Sequence, residues 1–180
     1  MSGPEREGSA RAAELRREFD RAFAEPIRTQ AGETTEAVLA LRAGADACVV
    51  RLSEMRGLLA RPTVVAVPGP LPELLGLAGL RGALIPVYSL AALQGQAVSG
   101  EAPAWMLLVD AGGLVGLAFE ELLGYVRLER REIATLPRAG EAGGSQAARV
   151  GDVLRPLIDV PSLVASLKRR VGAVGAHRQE

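Results

Sequence analysis

The chain repeats itself, and that repetition limits its folds more than any other feature. Val38-Leu39-Ala40-Leu41, followed by Cys48-Val49-Val50-Arg51-Leu52-Ser53-Glu54-Met55, lines up with Met106-Leu107-Leu108-Val109, followed by Gly116-Leu117-Ala118-Phe119-Glu120-Glu121-Leu122-Leu123. Farther on, Ala83-Leu84-Ile85-Pro86-Val87-Tyr88-Ser89-Leu90 lines up with Val153-Leu154-Arg155-Pro156-Leu157-Ile158-Asp159-Val160. The offset is about 70 residues in both cases, too long for a solenoid and suited to two small β-barrels. Closing each sheet would hide edges that such apolar strands could not safely expose.

The local patterns agree. Val38–Leu41 and Ala47–Leu52 flank a turn at Gly44-Ala45-Asp46 and predict a hairpin. Ser53–Gly57 predicts a helical turn or a bend. Thr63–Val67 predicts a strand stopped by Pro68-Gly69-Pro70, and Pro72 starts a short helical turn through Leu75. Leu77–Leu80 and Ala83–Tyr88 predict a hairpin hinged on Arg81-Gly82, the one charge in the stretch Leu77–Leu90. Pro86 suits an edge or a bulge. Ser89–Leu93 is a helical turn and Gln94–Ala104 a linker. Trp105–Val109 and Leu114–Phe119 form a further hairpin around Asp110-Ala111-Gly112-Gly113, and Leu122–Leu128 a strand. Gly140–Gln146 is a loop. Arg149-Val150 and Val153–Asp159 are short strands, and Pro161–Arg170 is a terminal helix with Gly172 beyond it. Ten or so short strands with little helix give an all-β class.

The N-terminal 33 residues stand apart. Residues 1–10 have the composition of a disordered segment. Arg11–Glu25 predicts an amphipathic helix with Leu15, Phe19 and Phe23 on one stripe, ended by Pro26. The division expected is an extension over 1–33, a barrel domain over 34–171 and a tail over 172–180.

Composition excludes several classes. Lys+Arg and Asp+Glu balance at 21 each, which removes the bulk positive charge of a nucleic-acid binder. Hydrophobic residues make up 48% and aromatics only 3%, so the core must come from Val, Leu, Ile and Ala. The N-terminal residues carry no apolar signal segment, and no run approaches the ~20 apolar residues of a membrane span. A cytoplasmic protein without membrane insertion is expected. Cys48 is the lone cysteine and lies inside an apolar run, which fits a reducing compartment and a core role.

Catalytic chemistry is missing. His177 is the only histidine and lies in the polar tail, so a Ser-His-Asp or Cys-His arrangement has no base. Glu120-Glu121 would point to opposite faces of a strand. Gly140–Gln146 lacks the Lys-Ser/Thr of a phosphate loop. No His, Cys, Asp or Glu spacing suits a metal. The expectation is no catalytic residue, no metal and no cofactor, in a protein that binds other proteins.

The stretch Leu75-Gly76-Leu77-Ala78-Gly79-Leu80-Arg81-Gly82-Ala83-Leu84-Ile85-Pro86-Val87-Tyr88-Ser89-Leu90, preceded by Pro68-Gly69, resembles the signature of the CheW-like family. The resemblance runs from about Thr34 to Val171, taking in Cys48–Leu59, Trp105–Leu128 and Gly151–Leu167. It implies two intertwined five-stranded SH3-like barrels with flanking helices. It also implies a non-enzymatic adaptor joining the cytoplasmic tip of a chemoreceptor to the regulatory domain of a CheA-type histidine kinase. A divergent scaffold or competitor in a non-flagellar pathway, with partners chosen by the N-terminal helix, is the alternative. By the same resemblance Arg81, with Gly82, belongs to the receptor-facing surface, and Met55 and Arg56 fall in that region. The sequence departs from the family pattern at Gly79, where an Asn is usual, at Gly57, where an acid is usual, and at Ser89, where an Asp is usual.

Overall fold

The computed structural model describes residues 35–69, 71–98, 100, 102–136 and 145–176. The helix expected over Arg11–Glu25 lies outside them. Among the described residues twelve strands follow one another: β1 (Thr35–Ala43), β2 (Asp46–Arg51), β3 (Gly57–Ala60), β4 (Val64–Val65), β5 (Leu74–Leu80), β6 (Ala83–Ser89), β7 (Trp105–Asp110), β8 (Leu114–Phe119), β9 (Glu121–Glu129), β10 (Ile133–Leu136), β11 (Ser145–Val150) and β12 (Val153–Ile158). Helix α1 (Leu90–Leu93) follows β6, and α2 (Val160–Ala176) follows β12. Single 3-10 turns stand at Leu52–Glu54 and Arg130–Glu132.

The strands form two six-stranded sheets. The first runs β10-β11-β12-β2-β1-β9 and the second β4-β5-β6-β8-β7-β3. Each is antiparallel except at one seam, β12 on β2 and β6 on β8. The two orders are the same order under the repeat. They are also crossed between the repeats: each sheet takes its first hairpin from one half of the chain and its other four strands from the other half. The second sheet is therefore the continuous segment 57–119, inserted between β2 and β9 of the first. This is the intertwining expected, with six strands per sheet in place of five.

Burial explains why β1, β2, β7 and β8 are apolar on both faces. One face of β1, through Leu39, Leu41 and Ala43, joins a central cluster with Leu107, Val109, Val115, Leu117 and Phe119 of the second sheet. The other, through Val38 and Ala40, fills the first barrel with Val49, Leu128, Ala148 and Leu157. Met106 and Leu108 do the same in the second barrel with Ala78, Ile85 and Val87. With so few aromatics, filling three clusters takes aliphatic side chains at nearly every position of these strands.

Several boundaries differ from the sequence reading. Thr63–Val67 contributes only Val64–Val65, and the chain after Pro72 enters β5 at Leu74. β3 and β10 were not expected. Helix α2 starts one residue earlier than Pro161 and runs past Gly172. Its stripe Val160, Val164 and Leu167 is buried in the central cluster, while the turn around Gly172 is exposed and Gly172 does not end it. The repeat also shifts by one residue in the second strand of each hairpin. Val49 faces Leu157 and Gly116 faces Val87, so Val49 corresponds to Gly116. The cause is the turns: the first hairpin closes on the pair Ala43 and Asp46, the second on Asp110 and Leu114.

Candidate partner-binding site

Arg81 and Gly82 are the two-residue loop of the β5–β6 hairpin, between the paired residues Leu80 and Ala83. Both have positive φ, 49° and 83°, the signature of a type I′ turn. Glycine takes that conformation freely, whereas an arginine there is strained. The turn, Ala83 and Leu84 are all exposed, Leu84 at 73%. The matching turn of the other barrel, Gly151-Asp152, puts glycine first at φ 61° and has no such arginine.

Register decides what else lies at this end of the sheet. β6 runs parallel to β8, with Val87 beside Gly116, so the start of β6 lies at the end where β8 begins. β3 runs antiparallel to β7, with Gly57 opposite Leu108, so Arg56 lies near Asp110. Arg56, Asp110, the turn Ala111–Gly113 and Arg81-Gly82 thus share one end of the second sheet. Strands ~4.8 Å apart place the β6 and β3 positions roughly 14 Å from each other across it.

Arg56 is fixed there from both ends. Its N–H donates to the Leu108 carbonyl at 2.7 Å, and its Nη2 meets Asp110 Oδ2 at 3.3 Å. The Gly112 N–H donates to the other Asp110 oxygen at 2.9 Å. That bond, and the Arg56 guanidinium after it, hold the Asp110 carboxyl below its ordinary range. Both side chains of the pair are more than half exposed, so water screens it and a partner's carboxylate can compete for Arg56. Met55 is half-buried, with its side chain against the central cluster. It anchors the segment whose next residue is exposed.

The sequence reading missed the residues that hold this segment. Arg51 donates through Nε to Glu36 at 2.8 Å, through Nη1 to Glu54 at 3.1 Å and through Nη2 to Gln146. The other Glu54 oxygen accepts the Val160 N–H at 3.1 Å. The 3-10 turn before Met55 is thereby tied to β1, β2, β11 and the start of α2. The only signal in the sequence was the i,i+3 spacing of Arg51 and Glu54. Beside the turn, Glu54, Asp110 and Lys168 rim a shallow cleft floored by Val160, Val164 and Ala165.

The departures from the family pattern now have local meaning. Ser89 Oγ accepts the Ala92 N–H at 3.2 Å and caps α1, a role serine fills about as well as aspartate. A Cβ at Gly79 would meet nothing within 4 Å, and one at Gly57 would touch Leu108 at 3.4 Å. Neither glycine is demanded by packing.

The residues weighed for catalysis serve the fold. Glu120 accepts the Gly44 N–H at 2.7 Å, while Glu121 pairs with Arg42 at 2.9 Å. Burial pushes the Cys48 thiol up to about 11, and the Asp46 charge pushes the same way. A thiol so held is not a nucleophile near neutral pH. Among the described residues no group of His, Cys, Asp and Glu is placed to hold a metal ion, and no helix is long and apolar enough to cross a membrane.

The model of the CheW-like domain matches residues 37–168. The chain belongs to the CheW-like family. That is a family of scaffold and adaptor domains of chemotaxis signalling, not of enzymes. The fold has a solved counterpart in the scaffolding protein TtCheW from Thermoanaerobacter tengcongensis. The two are 15% identical, with a TM-score of 0.59 over 69% of this chain and 88% of that one. No curated protein matches.

Proposed function

We propose that this CheW-like protein is a cytoplasmic, non-enzymatic adaptor that holds a chemoreceptor tip against a CheA-type histidine kinase. Residues 34–171 form the coupling domain in this reading, with 1–33 an extension ahead of it and 172–180 a tail. The receptor meets the end of the second sheet that carries Arg81, Gly82 and Arg56, over the half-buried Met55. The kinase's homologous regulatory domain docks barrel to barrel elsewhere, with an apolar centre and a polar rim.

The observation that carries this is Arg81 in a left-handed, fully presented turn. The hairpin turn requires positive φ at this position, so the strain comes from the choice of arginine over glycine or asparagine, and a strained residue kept at an exposed turn points to function. A guanidinium on a rigid turn offers a carboxylate two parallel N–H bonds, which lysine cannot copy. Arg56 adds a second guanidinium at the same end, held by a weak pair that a receptor acid can replace.

The test is co-purification with a receptor cytoplasmic fragment and with the kinase regulatory domain. Arg81→Glu loses the receptor and keeps the kinase. Undiminished receptor recovery by Arg81→Glu contradicts the assignment.

A further inference from the structure

The repeat is broken in the interior of the first barrel. Ile85, on β6, is 3% exposed and fills the second barrel beside its cross-strand partner Ala78. Its counterpart on β12 is Arg155, whose cross-strand partner Ala148 is fully buried. Arg155 lies two residues before Leu157 on the same strand, so it points to the same side as that residue, into the first barrel's apolar cluster. A guanidinium thus stands where the repeat prescribes isoleucine.

It stands there without an acceptor. Arg155 Nε and Nη1 are both buried and neither makes a hydrogen bond. The residue as a whole is only partly buried, so the group sits at the rim of the barrel and not sealed within it. Most described acids of this sheet and its connections are engaged elsewhere; Asp152, in the exposed β11–β12 turn, makes no hydrogen bond to Arg155 Nε or Nη1. Glu36 and Glu54 hold Arg51, Asp46 accepts from Gln96, Glu120 from Gly44, Glu121 from Arg42, and Glu129 pairs with Arg131. A guanidinium is a permanent cation with N–H donors and no acceptor. Two buried, unbonded N–H nitrogens on a permanent cation are costly, and an oxyanion bridging Nη2 with either Nε or Nη1 would relieve one of them.

We infer that Arg155 anchors an oxyanion-binding site at the rim of the first barrel, taking a carboxylate or a phosphate group. The site is separate from the Arg81 surface, which belongs to the other sheet. The guanidinium supplies the charge and the directed N–H groups, and the surrounding apolar wall strengthens both by excluding water.

The full-length protein is titrated with sodium phosphate and, separately, with sodium acetate, ionic strength being held constant with chloride. The readouts are the Arg155 Nε–Hε resonance and the thermal midpoint, for the wild type, Arg155→Ile and Arg155→Met. The expected result is a saturable shift of the resonance with a rise in midpoint, and at least a tenfold loss of apparent affinity in both variants. A response to phosphate alone assigns a phosphate ligand, a response to acetate alone a carboxylate, and a response to both a site that takes either oxyanion. In chloride alone, Arg155→Ile melts no lower than the wild type, since isoleucine is the repeat's own residue. An Hε already slow to exchange and unmoved by either anion overturns the proposal, as does an equal response in the variants. Failure of both Arg155 variants to fold would make the arginine a requirement of the barrel and overturn it too.

Discussion

Glu54 holds the first residue of the terminal helix: its Oε2 accepts the Val160 N–H at 3.1 Å while its Oε1 takes the Arg51 guanidinium at 3.1 Å. One largely buried carboxylate therefore fixes both the turn leading to Met55-Arg56 and the start of α2. Glu54→Ala leaves Arg51 with one fewer acceptor and the helix with an unmet N–H. A loss of about 2 kcal/mol in denaturant unfolding is expected. Glu54→Gln, which keeps the acceptor for Val160, costs less. Equal losses in the two variants would mean that the Val160 bond contributes nothing.

Arg81 separates fold from function. Its φ of 49° is one asparagine adopts with less strain. Arg81→Asn raises stability by a few tenths to about 1 kcal/mol, measured by chemical denaturation. A destabilised Arg81→Asn would mean that the arginine side chain supports the hairpin, against the reading of it as a contact.

Gly76 has the opposite character. Its φ is 150°, and a Cβ there would lie 2.1 Å from the Val65 carbonyl oxygen. Gly76→Ala must push β4 off β5 and is expected to cost more than 2 kcal/mol, with the loss of amide protection at Val64 and Val65. Unchanged hydrogen exchange in β4 would contradict the tight approach.

Cys48 gives a pH dependence with a defined sign. Its pKa rises from an ordinary 9.0 to about 11 in the folded chain. The native state therefore keeps a proton that the unfolded state has lost, and stability falls as pH rises from about 9 to about 11. Cys48→Ala removes that slope while costing some packing. Rapid alkylation of Cys48 in the native protein at pH 8 would contradict its burial.

Much of this architecture could be read from the residues, and the parts that could not share a physical cause. The hairpins β1–β2, β5–β6 and β7–β8 are local, so apolar runs around turn residues were enough to find them. β3 and β10 are four residues each and find partners far along the chain: Gly57 opposite Leu108, Ile133 opposite Ala148. Neither Gly57-Leu58-Leu59-Ala60 nor Ile133-Ala134-Thr135-Leu136 carries a pattern that says so. The repeat gave two barrels, yet not the exchange of strands between them, because a duplication does not state which copy pairs with which. At the site, Arg81 was legible as a lone charge at a turn. Its shared end with Arg56 and Asp110 depended on register, and the support from Glu54 and Arg51 on contacts between distant elements. The replacement of Ile85 by Arg155 was visible in the repeat itself, but its unmet N–H groups required the barrel around them.

The Arg81 end of the second sheet is the receptor-facing surface proposed above. The most direct measurement is the affinity of a soluble receptor-tip fragment for the wild type and for Arg81→Asn, a variant expected to be at least as stable. At least tenfold weaker binding in Arg81→Asn, with affinity for the kinase regulatory domain unchanged, is the predicted result. Equal affinity of the two proteins for the receptor fragment would contradict it.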